Sequence, residues 1–448
     1  MQPCPPGAES CQAMEDAKLI LDNQEYHLPV VQGTDGSRSI HADSLFEKTG
    51  LRIFDPRLNN VNITKSAITY IDPVSGRLLY RGYRIEDLVE HSSFVEVSFL
   101  LNEGELPNQE QYANYSNELC KHSMIHESMR YFFDAFPGDA HPIAILATMV
   151  TALSAYYPST YEENLKKGVD IRARLLAKVR TLAAWSYKKS VGEPVVYPRD
   201  EMPYCTNFLN MLFAVPAETY QVPKSHDRVL NQLLILYSDH EQNTATTTMR
   251  LVASSQANLF ACINAAMCAM WGSREFGANI PPIPMLDQMT KRRQSPEEYF
   301  EKFIKGQEII RSNGLGHSSY RTQDPRAIIA RKLFHEFRKT NEIAAVDPLF
   351  EKALEVEEFT LGHPYFKEKG LYPNLDYYSA LIFRMIGLPM TMNNVIRTIG
   401  KLSGWLAHWM EQHDEGVRGA YRPGQVYTGV AERPFPTDRQ GTHWGRET

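Results

Sequence analysis

The chain reads as mainly α-helical, with a small β portion near its N-terminal end. Three observations carry that expectation. Apolar residues recur at helical spacing in most segments, as in Val229, Leu230, Leu233, Leu234 and Tyr237. Strand-like patterns occur only before residue 81. Capping and stop residues punctuate the periodic stretches.

Residues 1–17 carry no such pattern and read as a flexible tail. Within 18–31, Tyr26-His-Leu-Pro-Val-Val31 suggests short β segments. Ile68 to Asp72 and Arg77 to Tyr80, joined across Pro73 to Gly76, read as a hairpin. From Ile85 the pattern turns helical. Ser93-Phe-Val-Glu96 has the form of a capping box, and Gly104 and Pro107 mark a stop. His141 to Tyr157 predicts a buried helix, Arg172 to Ser190 another with basic residues at its end, and Pro223 to Tyr237 a third. Leu259, Ile263, Ala266, Met267 and Met270 repeat the pattern until Trp271-Gly272 breaks it. Charged helical segments, Pro296 to Ile310 and Ala327 to Lys339, flank a glycine-rich loop. Tyr377 to Ile386 and Ile396 to Met410 complete the series.

A chain of 448 residues is long enough for a large core and two domains. The formal charge of -6 argues against a nucleic-acid partner, which would favour a basic face. Cys4, Cys11, Cys120, Cys205, Cys262 and Cys268 form no Cys-x-x-Cys pair and read as reduced, scattered thiols. Cys262 and Cys268 lie in an apolar run and are expected in the core. The longest apolar run, Ile143 to Tyr157, falls short of the ~20 residues a membrane span needs. Glu9, Glu15 and Asp16 precede the first lysine, Lys18, which argues against a secretory signal or a transit peptide. An intracellular, cytoplasmic protein without a membrane segment is expected.

The polar spots fall at the ends of apolar helices. The densest is Asn313-Gly-Leu-Gly-His-Ser-Ser-Tyr-Arg-Thr-Gln-Asp-Pro-Arg326. Gly314 and Gly316 allow tight backbone geometry, and His317, Arg321 and Arg326 suit a small dense anion such as a dicarboxylate. The others are Ser238-Asp-His240-Glu241-Gln-Asn243, Gly272-Ser-Arg-Glu275-Phe-Gly-Ala-Asn279, Tyr372-Pro-Asn-Leu-Asp376, Lys401-Leu-Ser-Gly-Trp405 and Tyr421-Arg-Pro423. Each has an ordinary alternative: His240 as a helix C-cap, Asp376 as an N-cap, Arg422 as a surface charge. His408-Trp-Met-Glu-Gln-His413 lacks the His-Glu-x-x-His order, so no metal is expected.

Together the spots resemble the citrate synthase family from about Lys18 to Gly429. Arg81-Gly-Tyr-Arg-Ile-Glu-Asp-Leu88, Asp239-His-Glu241, Gly314-Leu-Gly-His317, Asp324-Pro-Arg326 and Tyr372-Pro-Asn-Leu-Asp376 carry the resemblance in family order. It implies a two-domain helical fold, with 18–280 plus 390–448 as the large domain and 281–389 as a small domain closing over the active site. It implies condensation of an acyl-CoA, or a carrier-bound acyl chain, with oxaloacetate, no cofactor beyond the CoA substrate, and a homodimer or higher oligomer. By resemblance, Asp376 is the general base and His317 polarises the oxaloacetate carbonyl. His240, Arg326, Lys401 and Arg422 hold carboxylates, Arg422 reaching a partner subunit's site.

Three departures stand out. Glu275 occupies the place of the family's catalytic histidine, and Phe276 that of a glycine. Lys401 stands where relatives have arginine, which keeps the charge and loses the bidentate fork. Ser318-Ser319 stands where many relatives have Arg-Val. The departures suggest a divergent paralogue resembling the alkylcitrate synthases of fungal secondary metabolism, with Glu275 or Arg274 taking over enolate stabilisation. A citrate or 2-methylcitrate synthase and a non-catalytic, ligand-binding paralogue are the alternatives.

Overall fold

The computed structural model describes residues 16–159, 161–166, 170–272, 282–308, 314–415, 419–430 and 432–433. Strands β1 (Ala17–Leu21) and β2 (Gln24–Leu28) form an antiparallel hairpin. Its turn residues, Asp22 and Asn23, both hold positive φ (51° and 63°), the hand that suits a two-residue turn between twisted strands. Ala17 thus belongs to a strand and not to the predicted tail. Strand β3 (Val30–Gln32) pairs with β4 (Arg38–Ile40), and α1 (Ala42–Thr49) follows. The predicted hairpin is β5 (Thr69–Asp72) and β6 (Arg77–Tyr80), with β7 (Tyr83–Arg84) added at its edge.

The rest is helical. Helices α2 (Ile85–His91), α3 (Phe94–Glu103), α4 (Gln109–Lys121), α5 (Arg130–Asp134), α6 (Pro142–Tyr156) and α7 (Tyr161–Lys166) come first. Next are α8 (Ile171–Ser190), α9 (Tyr204–Phe213), α10 (Lys224–Tyr237), α11 (Thr244–Ala253) and α12 (Leu259–Met270). Then come α13 (Pro282–Arg292), α14 (Pro296–Ile304), α15 (Pro325–Arg338), α16 (Glu342–Val346), α17 (Leu349–Gly362) and α18 (Pro364–Lys369). Helices α19 (Leu375–Ile386) and α20 (Asn393–Asp414) close the chain of elements.

Local chemistry sets several boundaries. The capping box of α3 forms both bonds: Ser93 Oγ accepts from the Glu96 N–H at 3.2 Å, and Glu96 Oε2 from the Ser93 N–H at 2.6 Å. Gly104 ends that helix in the left-handed region. Helix α14 stops at Ile304, short of the predicted Ile310, because Gly306 at φ 70° turns the chain away. Cys262 is buried, whereas Cys268 on the same helix is exposed, correcting the expectation that both are core. Apolar content alone did not distinguish the two faces of α12. Among the described residues, no helix is long and apolar enough to cross a membrane.

Helix α20 is the central rod. It is buried from Asn393 to Trp409 on every side and packs on α3, α8, α10 and α11. Two glycines, one turn apart, let α10 come close. A Cβ on Gly400 would lie 2.7 Å from Tyr237 Cβ, and one on Gly404 would lie 2.4 Å from Ser238 O and Asp239 Oδ1. Gly404 also donates its N–H to Ser238 O at 3.1 Å. Gly404→Ala is therefore expected to destabilise the fold by about 1–3 kcal/mol, the usual cost of overpacking a tight contact. The check is the denaturation midpoint, and an unchanged midpoint would show that α10 yields freely.

Helices α13, α14, α15, α17 and α19 pack on one another. Helix α15 also reaches α2 and α10, so the contacts between these helices and the earlier ones run beside the end of α10.

Candidate active site

Four pieces of chain converge at the C-terminal end of α10. They are Ser238 to Asn243, the loop from Gly314 to Asp324, the start of α19, and the middle of α20. Two glycines shape the loop. Gly314 (φ 81°) lies against Tyr377, where a Cβ would be 3.0 Å from that residue's Cβ, and Gly316 (φ 76°) lies against Leu371. The loop then pairs with the residues before α19. Gly316 N–H donates to Tyr372 O at 2.7 Å, Asn374 N–H to Gly314 O at 2.8 Å, and Asn374 Nδ2 to Gly316 O at 2.9 Å. Leu315 and Pro373 form an antiparallel bridge. This pairing draws His317 and Asp376 together across 59 residues of sequence.

Asn374, not Asp376, caps α19: its Oδ1 accepts from the N–H of Asp376 at 3.0 Å and of Tyr377 at 3.1 Å. The helix starts two residues before the predicted Tyr377, so Asp376 sits inside its first turn. That position still favours a negative charge. Asp376 Oδ1 accepts from Arg397 Nη2 at 2.6 Å, and the Tyr237 hydroxyl lies 3.5 Å from the same oxygen. Burial pushes the Asp376 carboxyl above its ordinary value, and the charges of Arg397, Arg326 and Lys401 oppose that shift.

His317 has donors at both ring nitrogens. Ser319 N–H donates to Nδ1 at 3.1 Å, and Arg326 Nη2 lies 3.2 Å from Nε2. Burial first, then Arg326, lowers its pKa to about 4, so the ring is neutral at neutral pH. A neutral imidazole accepts at one nitrogen only. With Nδ1 accepting from Ser319, the proton belongs on Nε2, where it confronts another donor. An oxygen acceptor set between Nε2–H and the guanidinium would satisfy both. A ketone or carboxylate oxygen has that character.

Arg326 lies in the first turn of α15 and is nine-tenths or more buried, as is Asp324. Its fork closes on Asp324, with Nε to Oδ1 at 3.1 Å and Nη2 to Oδ2 at 2.8 Å. Asp324 Oδ1 also caps the helix through the Arg326 N–H at 2.9 Å. The predicted carboxylate ligand is thus already engaged by a carboxylate of its own chain.

His240 follows α10, which is capped by Ser238 rather than by His240. Its Nε2 lies 3.2 Å from the Tyr320 hydroxyl, and its ring meets His317 edge-on at 5.0 Å between centroids. Burial, then Arg326 and His317, holds its pKa well below the ordinary value, so it too is neutral. Lys401 lies in mid-helix, not at a helix end as predicted, because α20 begins at Asn393. It is 2% exposed, and its charge acts on Asp239, His240, His317 and Asp376.

Arg422 lies on the extended segment after α20 and is exposed, while its neighbour Tyr421 is tied by its N–H to Ser254 Oγ at 2.9 Å. Arg321 is exposed, its N–H bound to Pro73 O in the β5–β6 turn. Glu275 lies outside the described residues, as do Phe276 and Asn313. His408 is buried with Nε2 3.3 Å from Asp239 Oδ2, so it supports the end of α10.

Sequence reading missed Tyr320, which packs against both His240 and His317, at ring distances of 5.7 and 5.1 Å. It also missed Arg397. The available signal was a second basic residue four positions before Lys401 in an otherwise apolar helix.

Comparison with known proteins shows the family. A family model described as the citrate synthase C-terminal domain matches residues 57–424. The chain is 41% identical over 424 residues to citrate synthase 1 of Mycobacterium tuberculosis, covering 94% of this chain and 98% of that one. The crystal structure of citrate synthase from Pyrobaculum aerophilum superposes with a TM-score of 0.73 at 30% identity, covering 91% of this chain and 96% of that one. Citrate synthase from Thermoplasma acidophilum, solved as a ternary complex with carboxymethyl coenzyme A and oxaloacetate, gives a TM-score of 0.75 at 27% identity, with 84% and 97% covered.

Proposed function

The chain belongs to the citrate synthase family, and on that premise we propose that it condenses oxaloacetate with an acyl-CoA longer than acetyl, forming an alkylcitrate and free CoA. The coarser part, condensation of oxaloacetate with an acyl-CoA thioester, is the family's reaction. It uses no cofactor beyond the CoA substrate.

The observation that carries the reading is that one loop pairing holds His317, neutral at neutral pH, beside the start of α19, where Asp376 is ion-paired to Arg397. Asp376 takes the α-proton of the thioester through the carboxylate oxygen that Arg397 does not hold. The enolate carbon attacks the ketone carbon of oxaloacetate. His317 Nε2–H and Arg326 stabilise the charge that develops on the ketone oxygen. Water then cleaves the thioester and CoA leaves as the thiol. His240, Arg326 and Lys401 are assigned to the oxaloacetate carboxylates. Arg422 is assigned to the site of a second copy, in a homodimer. Residues 281–389 are assigned to a small domain that closes to exclude water.

The acyl preference is argued from the departures. An anionic Glu275 would repel the enolate, whereas a protonated one could donate to it, and an apolar surrounding keeps a carboxylic acid neutral. An alkyl chain bound beside it supplies that surrounding. Phe276 stands in sequence where the family has a glycine, an apolar change that fits this reading, and the alkylcitrate synthases of secondary metabolism provide the family precedent. The short-chain reading, citrate or 2-methylcitrate, is favoured by the likeness to the mycobacterial enzyme.

Free-thiol release with oxaloacetate and acyl-CoAs from acetyl to decanoyl separates the two. Release with medium or long chains and not with acetyl is expected. Release with acetyl or propionyl alone would overturn the chain-length reading. With the preferred donor, Glu275→Ala is expected to lower kcat by about 10²–10³, the loss typical of one oxyanion donor. An undiminished kcat would remove Glu275 from the chemistry.

A further inference from the structure

We propose that Arg397 is a positioning residue for the base: its ion pair fixes the Asp376 carboxylate by one oxygen and leaves the other free to take the substrate proton. The inference rests on the role of Asp376 proposed above. Resemblance places an arginine at 401, yet the guanidinium here stands one helical turn earlier on α20, with lysine in its stead. Nothing in that likeness accounts for a buried guanidinium at 397.

The geometry is specific. Arg397 is about 1% exposed and its Nη2 reaches Asp376 Oδ1 at 2.6 Å. The guanidinium also lies over the Tyr237 ring, 5.7 Å from its centroid. Tyr237 is pinned in turn, with its hydroxyl 2.5 Å from Ser379 Oγ on α19. The close approach of Gly400 to Tyr237 holds the two helices at this separation. Asp376 Oδ1 therefore faces two fixed groups, while Oδ2 makes no hydrogen bond among the described residues.

The charge matters as much as the placement. The groups facing Asp376 are Arg397 and Lys401 from α20, Arg326 and Asp324 from the start of α15, and Tyr237 from α10. Burial favours the protonated acid, which cannot act as a base. Arg397 is the nearest cation opposing that effect. With Arg397 present the carboxylate persists to lower pH. Without it the folded-state pKa rises, and the acid limb of kcat moves to higher pH.

The experiment is the pH profile of kcat and of KM for oxaloacetate, measured by CoA release for the wild type, Arg397→Met and Arg397→Lys. Arg397→Met is expected to move the acid limb up by about one to three pH units, the usual influence of an adjacent guanidinium on a carboxylate. The KM for oxaloacetate should stay within a few-fold. Arg397→Lys should return the limb towards the wild-type position, with kcat still reduced because the ammonium, a differently shaped group, does not fix the carboxylate as the Nη2–Oδ1 contact does. If the methionine variant does not fold, the lysine variant carries the test through its lower kcat at unchanged KM. An unmoved limb, or a loss confined to KM for oxaloacetate, would overturn the proposal and make Arg397 a substrate ligand or a packing residue. A wild type that releases no CoA with any donor would overturn the base reading and this inference together. An active wild type with an unmoved limb overturns this inference alone.

Discussion

Asp376→Asn is expected to lower kcat for CoA release by about 10²–10⁴-fold, the range that a positioned general base contributes. The change is nearly isosteric. The amide oxygen can still accept from Arg397 Nη2, and Asn374 still caps α19, because its bonds go to the backbone N–H groups of residues 376 and 377. What disappears is the proton acceptor. Oxaloacetate binding should persist, since His317, His240, Arg326 and Lys401 are untouched. Ligand-induced protection against thermal unfolding measures that binding without turnover. A variant that binds oxaloacetate and turns over at the wild-type rate would eliminate Asp376 as the base. A variant that loses binding as well would show that the carboxylate has a structural role in the pocket.

The sequence disclosed what depends on near neighbours. The capping box at Ser93, the stop at Gly104 and the turn between β5 and β6 are set within a few residues, and they form as read. The family's polar spots were legible for another reason: their residue types and order recur as motifs. What remained hidden depends on depth and on distant packing. Lys401 read as the end of an apolar stretch, but α20 is buried on all sides and its polar residues are part of the run. Arg326 read as a free carboxylate ligand because Asp324, two residues away, was taken as motif rather than as its partner. Tyr320 gave no signal. Its position follows from the Arg321 N–H bond to Pro73 and from Gly76, where a Cβ would lie 2.8 Å from Thr322 Oγ1. The hairpin thus supports the loop that carries His317 and Tyr320, a relation that neither segment reveals alone. The division at 281 and 389 remains a proposal drawn from resemblance, supported by the packing of α13, α14, α15, α17 and α19 on one another.

Arg326→Met is expected to damage both stability and substrate binding, and the two losses can be separated. Arg326 and Asp324 form a buried, bidentate pair. Removing the guanidinium strands a carboxylate without its counter-charge, which typically costs about 3–5 kcal/mol. The denaturation midpoint should fall accordingly. The KM for oxaloacetate should rise at least about tenfold, because a charge-assisted bond to a carboxylate is worth roughly 1.5–3 kcal/mol. Adding Asp324→Asn removes the stranded charge and keeps the cap, since an asparagine oxygen can accept the N–H of residue 326 as the aspartate does at 2.9 Å. The double variant should therefore regain most of the lost stability while its KM for oxaloacetate stays high. If binding returned together with stability, Arg326 would be a structural residue, and the guanidinium that meets the substrate would have to be sought elsewhere in the cluster. A high KM in a restored fold would instead mean that Asp324 holds the guanidinium beside His317, where the carboxylate of oxaloacetate shares it.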